Sequence, residues 1–488
     1  MRIENVYRTE GVPTKTFVEP PNYSELLVDI RNPHKPVIIE GQSGTGKTTV
    51  VKKILERETE LNKAKYLSAR ITSHLTEIER IANSPEVGVF VIDDFHRITS
   101  DIQEKIANLA KISAEEGEEA KLPKLVLIGI NQVGSGLIQL VPDLAKRFGI
   151  HRVSPADQLG TLELIQAGET DLNIKIQDPI SIYTEAQGDY WLTQLLCQTI
   201  CISAGVTETC ATEKIITSDL QYIRTRIINR LHASYATPAK EFCRGRRFRP
   251  SNDPYFKLLK KVAEGHSATI DLTMLANSAP DIRASIISIK DGRLRILLDA
   301  KPDVAKYFYF NEKTSIFAIE DPALFYYLKH LNWDAFRTEC GFRAGAADEY
   351  EYDVAISFAG ENRELARYIA ESLSDLDVNI FFDEYFENNY LGKAWGKEFK
   401  RIFSEASRFI IVLLDKYHLD KIWPTFERDC FIPRVKNESV IPIRLDDSIF
   451  AGIPNDIVSI HFQFDAADPS WKDKTTTQVV YRIIDRIA

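Results

Sequence analysis

The chain is short of cysteine, of long apolar runs and of positive charge, and each shortage removes a class of protein. Six cysteines scattered through 488 residues make no disulfide framework and suit a reducing compartment. Cys197 and Cys201 stand four apart, but no second Cys or His pair completes a zinc set, so both read as buried packing. No stretch approaches the roughly 20 consecutive apolar residues of a membrane span. The opening Met1-Arg2-Ile3-Glu4-Asn5 is followed by Arg8, Glu10 and Lys15 with no apolar h-region, so we expect a cytoplasmic protein with no membrane partner. A formal net charge of −9 argues against a generally basic nucleic-acid binder, and there is no internal repeat or low-complexity tract.

What remains is globular, with 44% hydrophobic and 27% charged residues. At about 100 to 200 residues per domain, this length implies three or four units. The first is announced by Glu40 to Thr49, E-G-Q-S-G-T-G-K-T-T, which satisfies G-x-x-x-x-G-K-[ST] between a strand at 36–40 and a helix at 48–58. Gly41, Gly44 and Gly46 let consecutive backbone N–H groups turn inward onto phosphate oxygens, with the positive end of the helix behind them. In this P-loop Lys47 reaches the β- and γ-phosphates and Thr48, followed by Thr49, offers its hydroxyl to Mg²⁺. ATP and Mg²⁺ are the expected ligands.

Downstream, Lys65-Tyr66-Leu67-Ser68 reads as a strand, 73–83 as a helix, and Gly88-Val89-Phe90-Val91-Ile92-Asp93-Asp94 as a buried strand ending in two carboxylates. In that Walker B pattern Asp93 joins the Mg²⁺ shell and Asp94 orients or deprotonates the attacking water. A helix at 100–114 runs into the acidic stretch 115–119, read as a solvated end. The buried strand Lys124 to Asn131 ends in a polar residue where ATPases of the AAA-like group, which it resembles, place a γ-phosphate sensor; Asn131 takes that part. Pro142 to Phe148 is similar to the segment of that group that carries an arginine near a neighbouring subunit's nucleotide, so Arg147 acts in trans or is an ordinary surface arginine. Four strands alternating with helices imply a mostly parallel sheet.

From Pro155 the pattern turns helical, at 159–168 and 179–204, as a lid. Gly188-Asp189-Tyr190-Trp191-Leu192 resembles the glycine-led turn that signal-transduction (STAND) ATPases carry beside the nucleotide. Arg244-Gly245-Arg246-Arg247-Phe248-Arg249 is the one basic cluster, read as a solvated interdomain loop or as a site for phosphate backbone or an acidic partner. A helix at 254–264, a strand pair at 285–299 about Asp291-Gly292, a strand at 315–319 and an aromatic helix after Asp321-Pro322 look like the winged-helix domain that follows the lid in STAND ATPases.

Residues 339–351 are rich in Gly, Ala and acids, which suits a linker. Beyond it five strands alternate with helices, the pattern of a flavodoxin-like parallel sheet whose ligand end lies beyond the carboxyl ends of the strands. Its opening, Tyr352-Asp353-Val354-Ala355-Ile356-Ser357-Phe358-Ala359-Gly360-Glu361-Asn362-Arg363, resembles the first box of bacterial TIR (Toll/interleukin-receptor) domains. The loop from Asp383 to Trp395 and the segment Leu419 to Glu427, with Trp423 four residues before Glu427, resemble two further TIR motifs in the right order.

The TIR resemblance implies one of two functions, an adaptor that only associates or an enzyme that cleaves NAD⁺ between nicotinamide and ribose. In the second, Glu427 is the catalytic carboxylate and Ser357, Phe358, Arg363, Asp383, Trp395 and Trp423 are the NAD-binding candidates. Nicotinamide is already a cationic leaving group, so an oxocarbenium-like state needs a nearby carboxylate more than a strong acid.

The expected architecture is an α/β multidomain chain. It comprises a P-loop ATPase core at 1–154, a helical lid at 155–235, a winged-helix-like domain at 236–338, a linker at 339–351 and a TIR domain at 352–488. By resemblance it is a bacterial, antiphage-type STAND protein that forms a homo-oligomer through its ATPase and TIR domains. A trigger, whether a phage protein, a nucleic acid or a separate sensor protein, would then start NAD⁺ cleavage; a non-catalytic TIR scaffold switched by an ATPase is the alternative.

Overall fold

The computed structural model describes residues 1–487 except 62, 118–120, 131–146, 251–252, 343–349, 384–394, 421–428, 451 and 455–456. Its contacts divide into two compact units. One is Met1–Pro238 with Val262–Asp271 and Ala305–Leu331, and the other is Ala239–Lys261 with Leu272–Val304 and Asn332–Ala488. No described helix is long and apolar enough to cross a membrane.

The first unit is built on five parallel strands, β1 (Val37–Glu40), β2 (Lys65–Ser68), β3 (Val89–Asp93), β4 (Lys124–Gly129) and β5 (Gly149–Arg152), in the order β2-β3-β4-β1-β5. The central strands read as continuous apolar runs because helices cover both faces, as parallel sheets require. Isoleucines and leucines of the Thr72–Asn83 and Ser100–Glu116 helices close one face, and Val50, Val51 and Ile54 of the Lys47–Arg57 helix close the other. The fifth strand is an addition to the sequence reading. Its residues alternate between buried and exposed at the sheet edge, so no apolar run marks it.

The stretch expected as a lid contains the helices Gln158–Leu172, Pro179–Ala186 and Tyr190–Ser203 and a small parallel pair, β6 (Ile174–Ile176) and β7 (Lys214–Ile216). The expected continuous helix over 179–204 is broken at Gln187 and Gly188, both at positive φ. A three-stranded antiparallel sheet, β8 (Thr269–Asp271), β9 (Phe308–Asn311) and β10 (Ile316–Ile319), has β10 in the middle. The expected strand pair over 285–299 is instead two helices, Arg283–Lys290 and Arg293–Ala300. The Asp291-Gly292 turn is there, with Gly292 at φ +89°. Helical spacing wins, because Ile286, Ile289, Leu294, Leu297 and Leu298 are all buried.

In the second unit β11 (Tyr352–Ser357), β12 (Ile380–Phe381), β13 (Ser407–Leu414), β14 (Val440–Arg444) and β15 (Ile460–His461) form a parallel sheet in the order β12-β11-β13-β14-β15. That order reverses direction between β11 and β13. The basic cluster is not a solvated loop. Arg249 is buried and donates to Asp353 Oδ2 at 3.0 Å and to the Asp377 carbonyl, while Arg246 reaches the Asp377 carboxylate at 3.3 Å and the Asp375 carbonyl. The acidic partner foreseen for it is this chain's own TIR-like part.

Candidate functional sites

The P-loop lies between β1 and the Lys47–Arg57 helix, as its spacing demands. Gly44 and Gly46 both sit at φ +84°, a left-handed conformation that other residues adopt only with strain. Gly44 is required twice over, because a Cβ there would stand 2.0 Å from Asp189 Oδ2. Lys47 Nζ donates to the carbonyls of Gly41 (3.0 Å) and Gln42 (2.6 Å), and burial draws its pKa down to about 8. Thr48 Oγ1 donates to Asp93 Oδ2 at 2.8 Å, so the hydroxyl and the carboxylate expected at Mg²⁺ are adjacent. Tyr66 also bonds Asp93. Asp94, at φ +56°, accepts from Ser68 Oγ (3.0 Å) and pairs with Arg70 (2.9 Å).

A cavity of about 380 Å³ opens over this loop. Gly44 to Thr49, Asp93 and Asp94 line it together with Arg8, Phe17, Val18, Leu164, Tyr190 and Trp191. A cavity lined by both phosphate donors and rings suits a nucleotide. Two contributors were not evident in the sequence. The first is the amino-terminal segment, stitched to the lid by Trp191 Nε1 donating to the Thr9 carbonyl (3.0 Å) and Gln194 Nε2 donating to Thr16 Oγ1 (2.6 Å). The second is Glu320, just after β10. It is almost fully buried and meets His96 and Arg97, with Arg70 at 3.5 Å. Burial drives the His96 pKa down to about 3, against the pull of Asp94. Of the remaining predicted residues, Arg147 pairs with Glu115 of its own chain, and Asn131 lies outside the described residues.

In the second unit the predicted residues Phe358, Arg363 and Asp383 come together beyond the carboxyl ends of β11 and β12. The Arg363 guanidinium lies 5.4 Å from the Phe358 ring centre and 3.4 Å from Asp383 Oδ2, and Phe358 packs on Phe382 at 5.5 Å. Ser357 is fully buried beneath them, its hydroxyl 3.2 Å from His418 Nε2. Trp395 opens the Trp395–Arg401 helix, and Trp423 and Glu427 lie outside the described residues. The sequence reading missed Asn362, Asp415 and His418, three buried polar residues at the same end of the sheet. A polar residue immediately after an apolar strand is the signal that marks Asp415, whereas Asn362 and His418 lie in the turn and helix that follow their strands.

Fold and sites together define a P-loop NTPase module and a TIR domain on one chain. Residues 17–111 match the family Novel STAND NTPase 3, and residues 354–476 match the TIR domain family. The chain is 34% identical over 117 residues to the 3' cyclic ADP-D-ribose synthase AaTIR of Aquimarina amphilecti. That match covers 23% of this chain and 36% of the relative, so the chain spans about a third of that protein's length. Among solved structures it is similar to the Walker-type ATPase PABY2304 of Pyrococcus abyssi, at 12% identity and TM-score 0.38 over 66% of this chain and 99% of that one. It is also similar to Cdc6p of Pyrobaculum aerophilum, at 14% identity and TM-score 0.34 over 69% of this chain and 97% of that one.

Proposed function

We propose that the chain is a nucleotide-regulated, oligomerising immune effector whose TIR domain cleaves NAD⁺ to nicotinamide and linear or cyclic ADP-ribose when triggered. The identity of its TIR stretch to a cyclic ADP-ribose synthase carries this reading. Glu427 is the carboxylate that stabilises the oxocarbenium-like state, and Phe358, Arg363, Asp383, Trp395 and Trp423 hold the dinucleotide. The conjunction of Arg363 with a ring and a carboxylate supports this, since a guanidinium over a ring is suited to a phosphate beside a base. Ser357 acts from below, through His418.

ATP is the regulatory ligand. Gly41, Gly44 and Gly46 cradle its phosphates and Lys47 and Thr49 bind them, while Asn131 senses the γ-phosphate and Asp94 addresses the water. Thr48 and Asp93 offer hard oxygen donors that fit Mg²⁺, which neutralises phosphate charge when bound. Arg147 serves a neighbouring copy once its pairing with Glu115 is exchanged. The functional domains are those bounded at 154, 235, 338 and 351, and the trigger is a phage protein, a nucleic acid or a separate sensor protein.

Incubating the purified chain with NAD⁺, ATP and Mg²⁺ at rising protein concentration tests this. Nicotinamide should appear with an assembly-dependent onset, and Glu427→Ala should abolish it with assembly intact. Cleavage by that variant would sink the site assignment. Persistent absence of cleavage in ATP-bound oligomers would make the chain a scaffold.

A further inference from the structure

Arg70 stands just beyond β2 and lines the P-loop cavity together with Lys47, Thr48, Asp93 and Asp94. Its Nε lies 2.9 Å from Asp94 Oδ1, and one terminal nitrogen lies 3.5 Å from Glu320 Oε1. The other terminal nitrogen donates to the Lys306 carbonyl at 3.4 Å. These partners all belong to the first unit.

Neither carboxylate depends on Arg70 alone. Glu320 is buried against Arg97, whose Nε donates to Oε1 at 3.1 Å while a terminal nitrogen donates to the Ala305 carbonyl at 3.0 Å. Asp94 also accepts from Ser68 Oγ at 3.0 Å. Arg70 itself keeps 41% of its side chain exposed, and two of its three contacts are long. An ion pair with so exposed a partner is weak, so the guanidinium can exchange it for a stronger acceptor. A phosphate is such an acceptor, because a guanidinium matches two of its oxygens at once. Asp93 and Asp94 add negative charge in the cavity where Lys47 is to meet phosphates, and a second side-chain cation there offsets the repulsion.

We propose that Arg70 binds the γ-phosphate of the nucleotide held by its own chain, exchanging Asp94 for a phosphate oxygen and so releasing that carboxylate to address the attacking water. This rests on the reading of the cavity as an ATP site. Arg70 then distinguishes a triphosphate from a diphosphate, because ADP has no γ-phosphate to draw it off Asp94. A charge-assisted contact of this kind changes affinity by about tenfold or more.

The test is calorimetric titration of the full chain, in Mg²⁺, with ADP or with AMP-PNP, a triphosphate analogue that resists hydrolysis. Arg70→Ala should weaken AMP-PNP binding by about tenfold or more and leave ADP within about twofold. Arg70→Lys, which keeps the charge and loses the fork, should fall between the parent and Arg70→Ala. Asp94→Asn removes the competing carboxylate and should tighten AMP-PNP more than ADP. In the Asp94→Asn background, Arg70→Ala should still cost AMP-PNP about tenfold, because the contact it removes is to phosphate.

Equal losses for the two nucleotides in Arg70→Ala, or no loss at all, overturn the proposal. So does a loss that vanishes in the Asp94→Asn background, since Arg70 would then act only by neutralising Asp94. Should Arg70→Ala misfold, Arg70→Lys and Asp94→Asn decide, and parental AMP-PNP affinity in both overturns it. A parent that binds both nucleotides while the variants match it refutes this proposal alone, whereas a parent that binds neither refutes the ATP reading and this one with it.

Discussion

Replacing Asp189 by Asn keeps a helix cap and removes a charge from beside the P-loop. Asp189 caps the Tyr190–Ser203 helix by accepting the Leu192 N–H at 2.8 Å, and Asn caps about as well. Its carboxyl group is packed against Gly44, and burial pushes its pKa from 3.8 up to about 6, against the pull of the Leu192 and Trp191 amides and of Lys47. A raised carboxyl pKa means that the folded chain binds the proton more tightly than the unfolded chain. The stability this gives is complete below about pH 4 and is lost as pH rises through about 6.

At pH 7.5 the ionised group therefore costs up to about 3 kcal/mol, at 1.36 kcal/mol per pKa unit. The residue keeps some solvent exposure, and Lys47 loses a favourable neighbour in the variant. We expect a net stabilisation of about 1–2 kcal/mol. Hydrogen exchange of the Tyr190–Ser203 amides without nucleotide reads this locally, which suits a chain whose units need not unfold together. Asp189→Asn should slow exchange at pH 7.5, and the difference from the parent should shrink at pH 5. The variant should also bind ATP more tightly, since one negative charge near the phosphates is gone. Faster exchange at pH 7.5, or a difference that ignores pH, would refute the reasoning.

Lys47→Ala should lower NAD⁺ cleavage while leaving the TIR residues untouched, and parental cleavage by the variant would disprove the coupling between the modules. Because burial holds the Lys47 pKa near 8 and a phosphate would raise it, ATP binding should take up a proton and weaken as pH rises from 7 to 9. Calorimetry in two buffers of different ionisation enthalpy measures that proton, and a flat profile would show that Lys47 does not meet phosphate. Arg249→Ala should destabilise the second unit by about 3 kcal/mol, the lower end for a broken buried pair because Asp353 keeps the Asn379 N–H. A denaturant midpoint unchanged in that variant would show the contact to be dispensable.

The parts legible in the sequence are those with fixed short spacing. The P-loop, the acidic end of β3 and the first TIR box each declare their neighbours within a dozen residues, and the strands between them are buried apolar runs. Long-range pairs leave no such mark. Glu320 reaches His96 from 224 positions away, and neither is unusual in its own stretch. β5 was hidden by its edge position, and the strand pair at 285–299 failed because an Asp-Gly turn was given more weight than the apolar spacing on both sides of it. The arginine cluster misled for a related reason, since its charge suggested solvent while its partners lay more than a hundred residues downstream.

Three arginines of this unit, Arg246, Arg249 and Arg293, contact the amino end of the TIR sheet. Arg249 meets Asp353, at the start of β11, while Arg246, Arg249 and Arg293 meet the turn Ser374 to Val378 ahead of β12. Phe358, Asn362, Arg363, Asp383 and Asp415 stand at the other end. A six-residue strand such as β11 spans about 20 Å, so a change at one end does not reach the other by contact. The domain is thus held by the face that carries no candidate ligand residue. Breaking the arginine contacts should alter how firmly the sheet is held without altering KM for NAD⁺.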